Sequence, residues 1–81
     1  MSEPLYPNER AVLRVFATVD GPLTEGDVAH RLRAGASPRL AVGVGEAVKS
    51  LVAAGYVVEV DGFIPEYAVT SFGRFAIEEM A

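Results

Sequence analysis

The amino-acid sequence predicts a small α+β domain of three helices, a two-stranded β-hairpin and a short closing helix. Three stretches place apolar residues at helical spacing, and two short runs rich in β-branched and aromatic residues follow them. Asp61-Gly62, between the two runs, is typical of a hairpin turn. Residues 1–7 contain two prolines and are expected to form an extended arm, which leaves a single domain over residues 8–81.

The composition limits what this chain can do. It has 81 residues, of which 51% are hydrophobic, and this is enough for the core of one domain. No apolar run approaches the roughly 20 residues that a membrane-spanning helix needs. The N-terminal sequence "MSEPLYPNER" lacks the basic-then-apolar order of a secretion signal. We therefore expect a soluble, cytoplasmic protein that does not associate with membranes.

The first two helices are predicted from their cap residues. Asn8 is the expected N-cap of the first helix, within "ERAVLRVFATV", and Asp20-Gly21-Pro22 is expected to end that helix. Thr24 is the expected N-cap of the second helix, which runs from about Glu25 to Arg33. Asp27 follows three residues after Thr24, as an acidic variant of the capping box.

The third helix allows two interpretations. Ser37 can cap it, and apolar residues then recur at helical spacing from Leu40 to Leu51, which favours a single helix from about residue 38 to 54. Gly43 and Gly45 weaken that helix by about 1 kcal/mol each relative to alanine. The competing interpretation starts the helix near Val44 and leaves "SPRLAVG" as an ordered loop.

The hairpin and the last helix complete the expected fold. The strands are "YVVEV" and "EYAVT", and Thr70 or Ser71 is expected to cap the closing helix. Phe72, Phe75, Ala76 and Met80 share one face of that helix, which is expected to join the core or a dimer interface. The residues expected in the core are Val12, Leu13, Phe16, Leu23, Val28, Leu32, Leu40, Val44, Val48, Leu51, Val57 and Val69.

This order of elements resembles the winged helix-turn-helix superfamily, in particular the small regulators of the MarR and related types. The segment "AVLRVFATVDGPLTEGDVAHRL" is similar to the first two helices, "AVKSLVAAGYV" to the end of the third helix, and "VTSFGRF" to the start of the closing helix. The resemblance implies a winged-helix fold and a DNA-binding role in transcription regulation. It also implies homodimerisation through the terminal helices.

Two features depart from the family pattern. The third helix is about one turn longer than usual between its capping serine and the Ala-Gly pair at its end. The positions that commonly hold serine, threonine and arginine for DNA contact hold Val42, Gly43, Gly45 and Glu46 here. The tip of the hairpin, called the wing in this superfamily, has the sequence "DGFIPE", whereas DNA-binding members usually carry arginine or lysine there.

The candidate DNA-binding residues lie in a basic segment of an acidic chain. The net charge is −4, the wrong sign for non-specific attraction to nucleic acid, yet no acidic residue occurs between Val28 and Gly45. The winged-helix resemblance places the three arginines of that segment around the turn between helices two and three, where they could contact phosphates. Lys49 adds a cation to the third helix, and Arg39 and Lys49 are the groups there that suit guanine. The candidate residues are Arg31, Arg33, Arg39 and Lys49.

These residues predict weak, salt-dependent binding of double-stranded DNA. Three phosphate contacts per protomer, or six per dimer, correspond to a slope of roughly −5 in a log–log plot of affinity against salt. Glu46 would repel phosphate, although it could accept a hydrogen bond from cytosine. An ordinary solvated basic edge would show the same residue pattern.

The alternative function is a winged-helix adaptor that binds another protein and does not bind DNA. Val42 and Gly43, beside Glu46, could form a small smooth patch that lets a partner's backbone approach closely. Phe63 and Ile64 at the wing tip could fold back onto the core, contact a partner or wedge into a minor groove. The wedge is the least favoured of these because acidic residues flank the pair.

Enzymatic and metal-dependent functions are not expected. The chain has no cysteine and a single histidine, His30, expected at the surface, so neither a thiolate site nor a histidine-based site can form. The segment "GVGEAV" lacks the lysine of a phosphate-binding loop, and no strand precedes it as a dinucleotide fingerprint requires. We therefore expect no catalytic residue, cofactor or metal.

Overall fold

The computed structural model describes residues 5–19, 21–35 and 38–80, without the side chains of Pro38, Leu40 and Met80. Within these ranges lie four α-helices and a two-stranded antiparallel sheet, in the expected order. The helices are α1 (Pro7–Ala17), α2 (Glu25–Ala34), α3 (Val44–Ala53) and α4 (Ser71–Met80), and the strands are β1 (Val57–Val60) and β2 (Glu66–Val69). No helix in the described ranges is long and apolar enough to cross a membrane.

Helix α1 begins earlier than the sequence suggested. Pro7 is its first residue and Tyr6 its N-cap, so the prediction of Asn8 as the N-cap is wrong. The Tyr6 amide donates a hydrogen bond to Oε1 of Glu9 at 2.9 Å, which satisfies a donor that the helix cannot. Proline suits the first helical position because its φ is preset and it has no N–H to satisfy.

Helix α2 confirms the predicted capping box. The Asp27 amide donates to Oγ1 of Thr24 at 3.0 Å, and the Thr24 amide donates to Oδ2 of Asp27 at 3.1 Å. These hydrogen bonds with Thr24 hold the pKa of the Asp27 carboxyl below its usual range, and Arg31 and His30 add to the effect. The helix ends at Ala34, one residue beyond the predicted end.

The third helix is shorter than the favoured interpretation. Residues Pro38–Ala41 form a 3₁₀ turn, and Gly43 is the N-cap of α3 with a φ of +86°. A residue in the left-handed region cannot continue a right-handed helix, so the helix is interrupted at Gly43. The prediction of a single helix over residues 38–54 is therefore wrong, and the start near Val44 is confirmed. The part of "SPRLAVG" that the structure describes is largely a 3₁₀ turn, while Ser37 lies outside the described residues.

The break at Gly43 predicts the effect of adding a side chain there. Gly43→Ala should destabilise the domain by about 1 kcal/mol because residues other than glycine are strained at positive φ. Nothing lies within 4 Å of the added Cβ, so the cost comes from the backbone alone. Urea unfolding followed by circular dichroism measures it. A stabilised variant would contradict the break, since alanine strengthens a continuous helix.

Strand β2 also forms an isolated bridge with Leu23, which the sequence did not predict. In the hairpin, Val57 lies opposite Val69 and Glu59 lies opposite Tyr67. On the other side of β2, Leu23 and Tyr67 exchange two backbone hydrogen bonds, each of 2.8 Å. The segment that leads into α2 is thereby joined to the hairpin.

The core is close to the predicted set. Ten of the twelve expected residues are buried, Val69 is partly buried against the same core, and the side chain of Leu40 is not among those described. Ala47, Tyr56 and Tyr67 are buried in addition. Burial raises the pKa of the Tyr67 phenol, and the carboxylates of Glu25 and Glu59 raise it further.

Thr70 ties the end of α3 to the start of α4. Its hydroxyl donates to the carbonyl oxygens of Gly55 at 2.7 Å and Tyr56 at 3.1 Å, and it accepts from the Gly73 amide at 3.0 Å. The predicted cap at residue 70 is therefore confirmed. Gly73 is buried where α4 passes close to the carbonyl of Tyr56.

The inward face of α4 differs from the predicted face. Ala76 and Ile77 pack against the core, whereas Phe72 and Phe75 are 50% and 57% exposed. The Phe72 ring stacks on Tyr56 with centroids 4.9 Å apart and an angle of 5° between the planes. Neither phenylalanine belongs to the buried core, because the close approach at Gly73 sets the rotation of the helix. Met80 has no described side chain.

Candidate nucleic-acid interface

The candidate arginines lie around the connection between α2 and α3. Arg31 and Arg33 are in the last turn of α2, and Arg39 is in the 3₁₀ turn. The 3₁₀ turn packs against α2, so the three arginines lie on two adjoining elements. All three are exposed. Arg31 and Arg33 flank the buried Leu32 on either side of α2, and both face solvent.

Lys49 lies apart from the arginines along the chain, on the exposed side of α3. Glu46, Ser50 and Ala53 share that side. The break at Gly43 separates Arg39 from this helix, so Arg39 and Lys49 do not share the single helical face that the sequence predicted. The outward side of α3 therefore carries one cation, one carboxylate and two small residues.

The carboxylate of Glu25 lies against the first turn of α3, a contact for which the sequence contains no signal. A Cβ built on Gly45 would be 2.8 Å from Oε1 of Glu25, so Gly45 leaves room for that side chain. A negative charge near the N-terminus of a helix interacts favourably with the helix dipole. Together with Glu46, this carboxylate makes the start of α3 acidic.

Val42 and Gly43 form an exposed patch between the 3₁₀ turn and α3. Val42 is 85% exposed, and Gly43 has no side chain to shield the neighbouring backbone. The patch is apolar and small. Its chemistry suits close approach by another surface and offers no hydrogen-bonding side chain for a base edge.

The wing tip extends into solvent. Phe63 is fully exposed and Ile64 is 60% exposed, so the interpretation in which they fold back onto the core is wrong. A Cβ on Gly62 would meet Oε1 of Glu66 at 3.1 Å and the carbonyl oxygen of Ile64 at 3.2 Å, which indicates that the tip packs on itself. The wing thus presents apolar side chains beside carboxylates.

The described residues contain no group of three or more histidine, cysteine, aspartate or glutamate side chains placed to hold a metal ion. His30, predicted at the surface, is exposed on α2.

Comparisons with known proteins identify the fold. No protein-family model and no curated protein matches the sequence. Among solved structures, the chain is similar to the crystal structure of Bacillus subtilis PadR in complex with operator DNA, with a TM-score of 0.69 and 15% sequence identity over 89% of this chain. The fold is a winged helix. The match covers 45% of the PadR chain, so this chain corresponds to less than half of that protein.

The winged-helix fold assigns each element a place. Helices α2 and α3 form the helix-turn-helix, and β1 and β2 form the wing. The extra turn noted in the sequence before the Ala-Gly pair is the 3₁₀ turn, which lengthens the connection and does not lengthen α3. The third helix of this winged helix is thus ten residues long.

Proposed function

We propose that this protein is a non-enzymatic, cytoplasmic regulator of the MarR-like kind that binds double-stranded DNA weakly. The observation that supports it best is the exposure of three arginines, Arg31, Arg33 and Arg39, on the last turn of α2 and the adjoining 3₁₀ turn. The similarity of the fold to a PadR solved with operator DNA adds support. In this proposal the arginines contact phosphates, and Lys49 contributes from α3.

Electrostatics explain why the binding is weak. The arginines act against a net charge of −4, and Glu46 lies on the outward side of α3. Phosphate contacts orient a protein on the duplex without reading its sequence. Base readout would fall to Lys49, because lysine and arginine are the side chains that pair with guanine and the three arginines are engaged with phosphates. We therefore expect modest sequence preference together with a strong dependence on salt.

The test is a titration of a fluorescently labelled duplex, followed by anisotropy, at several salt concentrations. The expected log–log slope is about −5 for a dimer with six phosphate contacts, and about −2.7 for a monomer with three. The slope thus reports the number of arginines engaged. Absence of binding even at low salt would overturn the proposal.

A homodimer formed through α4 is part of this proposal. Phe72 and Phe75 each leave about half of their surface exposed on one side of that helix, next to the stacked ring of Tyr56. Burying aromatic surface between two copies is favourable. Light scattering during size exclusion gives the mass directly, and a value near 8.6 kDa would refute the dimer.

A second candidate function, a protein-binding adaptor that does not bind DNA, is favoured by the exposure of apolar residues. Val42 and Gly43 form one exposed patch beside Glu46, and Phe63 and Ile64 form another at the wing tip. Val42→Asp should then abolish capture of a partner in a pull-down while leaving the circular dichroism spectrum unchanged. Capture that survives this substitution would count against the Val42 patch.

A further inference from the structure

Val42 is an exposed aliphatic side chain at the start of the second helix of the helix-turn-helix. It lies directly before Gly43, the N-cap of α3, and is 85% exposed, against 60% for Ile64 and 50% for Val58. In helix-turn-helix proteins the N-terminal residues of the second helix contact base edges in the major groove. On the proposed DNA-binding function, Val42 is therefore close to the base edges.

The backbone beside Val42 is open to close approach. Gly43 has no side chain, and a Cβ built on it would have nothing within 4 Å. A base edge can therefore come close to the chain at this point. The valine side chain is also stiff, because branching at Cβ restricts its χ1 rotamers, so a contact with it fixes few additional torsions.

The charges near Val42 favour DNA as the surface that covers it. Arg39, in the 3₁₀ turn that leads to Val42, is exposed, and α2 carries Arg31 and Arg33 in the last turn before this connection. No acidic residue occurs between Val28 and Gly45. Contacts between arginines and phosphates position a protein on the duplex, and here they would bring the connection that contains Val42 against it.

The acidic first turn of α3 limits how this connection can lie on DNA. Glu46 is exposed there, and the carboxylate of Glu25 lies against Gly45. Carboxylates repel phosphate, whereas a glutamate can accept a hydrogen bond from the amino group of cytosine. The start of α3 is therefore better placed over base edges than along the phosphate backbone, and in that placement Val42 reaches a base.

Val42 has no hydrogen-bonding side-chain group, and this limits the base that it can recognise. In the major groove, guanine, cytosine and adenine present donors and acceptors, while thymine also presents its 5-methyl group. An apolar side chain placed against a donor or acceptor removes its water without replacing the hydrogen bond, which is unfavourable. Against the methyl group of thymine the same side chain buries apolar surface, which is favourable.

We propose that Val42 contacts the 5-methyl group of a thymine in the major groove and so gives this protein a preference for thymine at that position of its site. The contact rests on the proposed DNA-binding function and adds base recognition to it. The arginines on phosphates orient the domain without reading the sequence. Lys49 suits guanine further along α3, and Val42 reads thymine where the helix begins.

Replacing thymine with uracil tests the contact, because uracil pairs as thymine does and lacks only the methyl group. The probes are a labelled duplex of alternating adenine and thymine and the same duplex with uracil in place of every thymine. In fluorescence anisotropy at low salt, the thymine duplex should bind about fourfold more tightly per protomer, the contribution expected from burying one methyl group. The salt dependence should be the same for both duplexes, since their phosphates are identical.

The variant Val42→Ala assigns the preference to this side chain. It removes both methyl groups of an exposed residue outside the core, so the fold should be retained, and it should bind the two duplexes equally. Val58→Ala is the matched control, because Val58 is exposed on β1, outside the helix-turn-helix, and its replacement should keep the wild-type preference for thymine. A preference that persists in Val42→Ala would assign the methyl contact to another residue and overturn the proposal.

The same titrations separate failure of the thymine contact from failure of DNA binding. If the wild type binds both duplexes with equal affinity, the thymine contact is overturned while DNA binding stands. If it binds neither duplex even at low salt, DNA binding and the thymine contact are overturned together, and the exposure of Val42 then favours the protein-binding adaptor.

Discussion

Replacing Gly73 with alanine is expected to destabilise the domain by about 2–3 kcal/mol. A Cβ at this position would overlap the carbonyl oxygen of Tyr56, and would lie 2.8 Å from Cγ2 of Val69 and 3.1 Å from the carbonyl carbon of Tyr56. The overlapping atoms of Tyr56 belong to the backbone and cannot turn away. Either α4 moves outward or the hydrogen bonds of Thr70 stretch, and both weaken the packing of Ala76 and Ile77.

Urea unfolding measures the destabilisation of Gly73→Ala, with Ser71→Ala as the matched control. Ser71 is an exposed residue of the same helical turn, and its replacement should change the free energy of unfolding by less than about 0.5 kcal/mol. Wild-type stability in Gly73→Ala would mean that α4 does not approach the Tyr56 carbonyl closely.

Replacing Arg31, Arg33 and Arg39 together with alanine is expected to remove most of the affinity for a DNA duplex. Each arginine that no longer reaches a phosphate should make the log–log slope of affinity against salt less steep by about 1. Loss of all three should therefore make it less steep by about 3 per protomer. All three side chains are exposed and outside the core, so the fold should be retained.

The double variant Arg10→Ala/Arg14→Ala is the control for net charge. Both arginines are exposed on α1, outside the helix-turn-helix. This variant should bind somewhat less tightly at low salt, because the chain becomes more negative, with the slope unchanged. A triple variant that binds with the affinity and slope of the wild type would show that the assigned arginines do not contact DNA.

The parts of the fold that the sequence predicts well are those in which neighbours along the chain determine the structure. Thr24 and Asp27 are three residues apart, which fixes their reciprocal hydrogen bonds without reference to the rest of the molecule. The stripe from Val44 to Leu51 likewise identifies the buried side of α3 by spacing alone. Both predictions are confirmed for this reason.

The incorrect predictions concern places where segments distant in the sequence meet, or where a single backbone angle determines the structure. The spacing of Leu40 and Val44 suits a continuous helix as well as a broken one, and the positive φ of Gly43 has no periodic signature. Tyr67 is buried and its backbone bridges to Leu23, and a contact of one residue leaves no periodic pattern in the sequence. Phe72 points outward because Gly73 fixes the rotation of α4.

In the candidate site, too, the features set by local spacing could be predicted and those set by distant contacts could not. The exposure of Arg31 and Arg33 follows from the apolar pattern of α2, which buries Leu32 between them. The contact of Glu25 with the first turn of α3 joins two helices, and no local spacing encodes it. The exposure of Phe63 depends on the path of a loop, for which the sequence has no periodicity to use.

On the proposed function, DNA is expected to bind at the arginines around the α2–α3 connection and not at the wing. The most direct measurement is a map of backbone amide chemical shifts by NMR as a DNA duplex is added at low salt. The amides of the last turn of α2, the 3₁₀ turn and the exposed side of α3 should shift, while those of Asp61 to Ile64 at the acidic wing tip should not. Shifts concentrated at the wing tip, or no shifts at all, would contradict the claim.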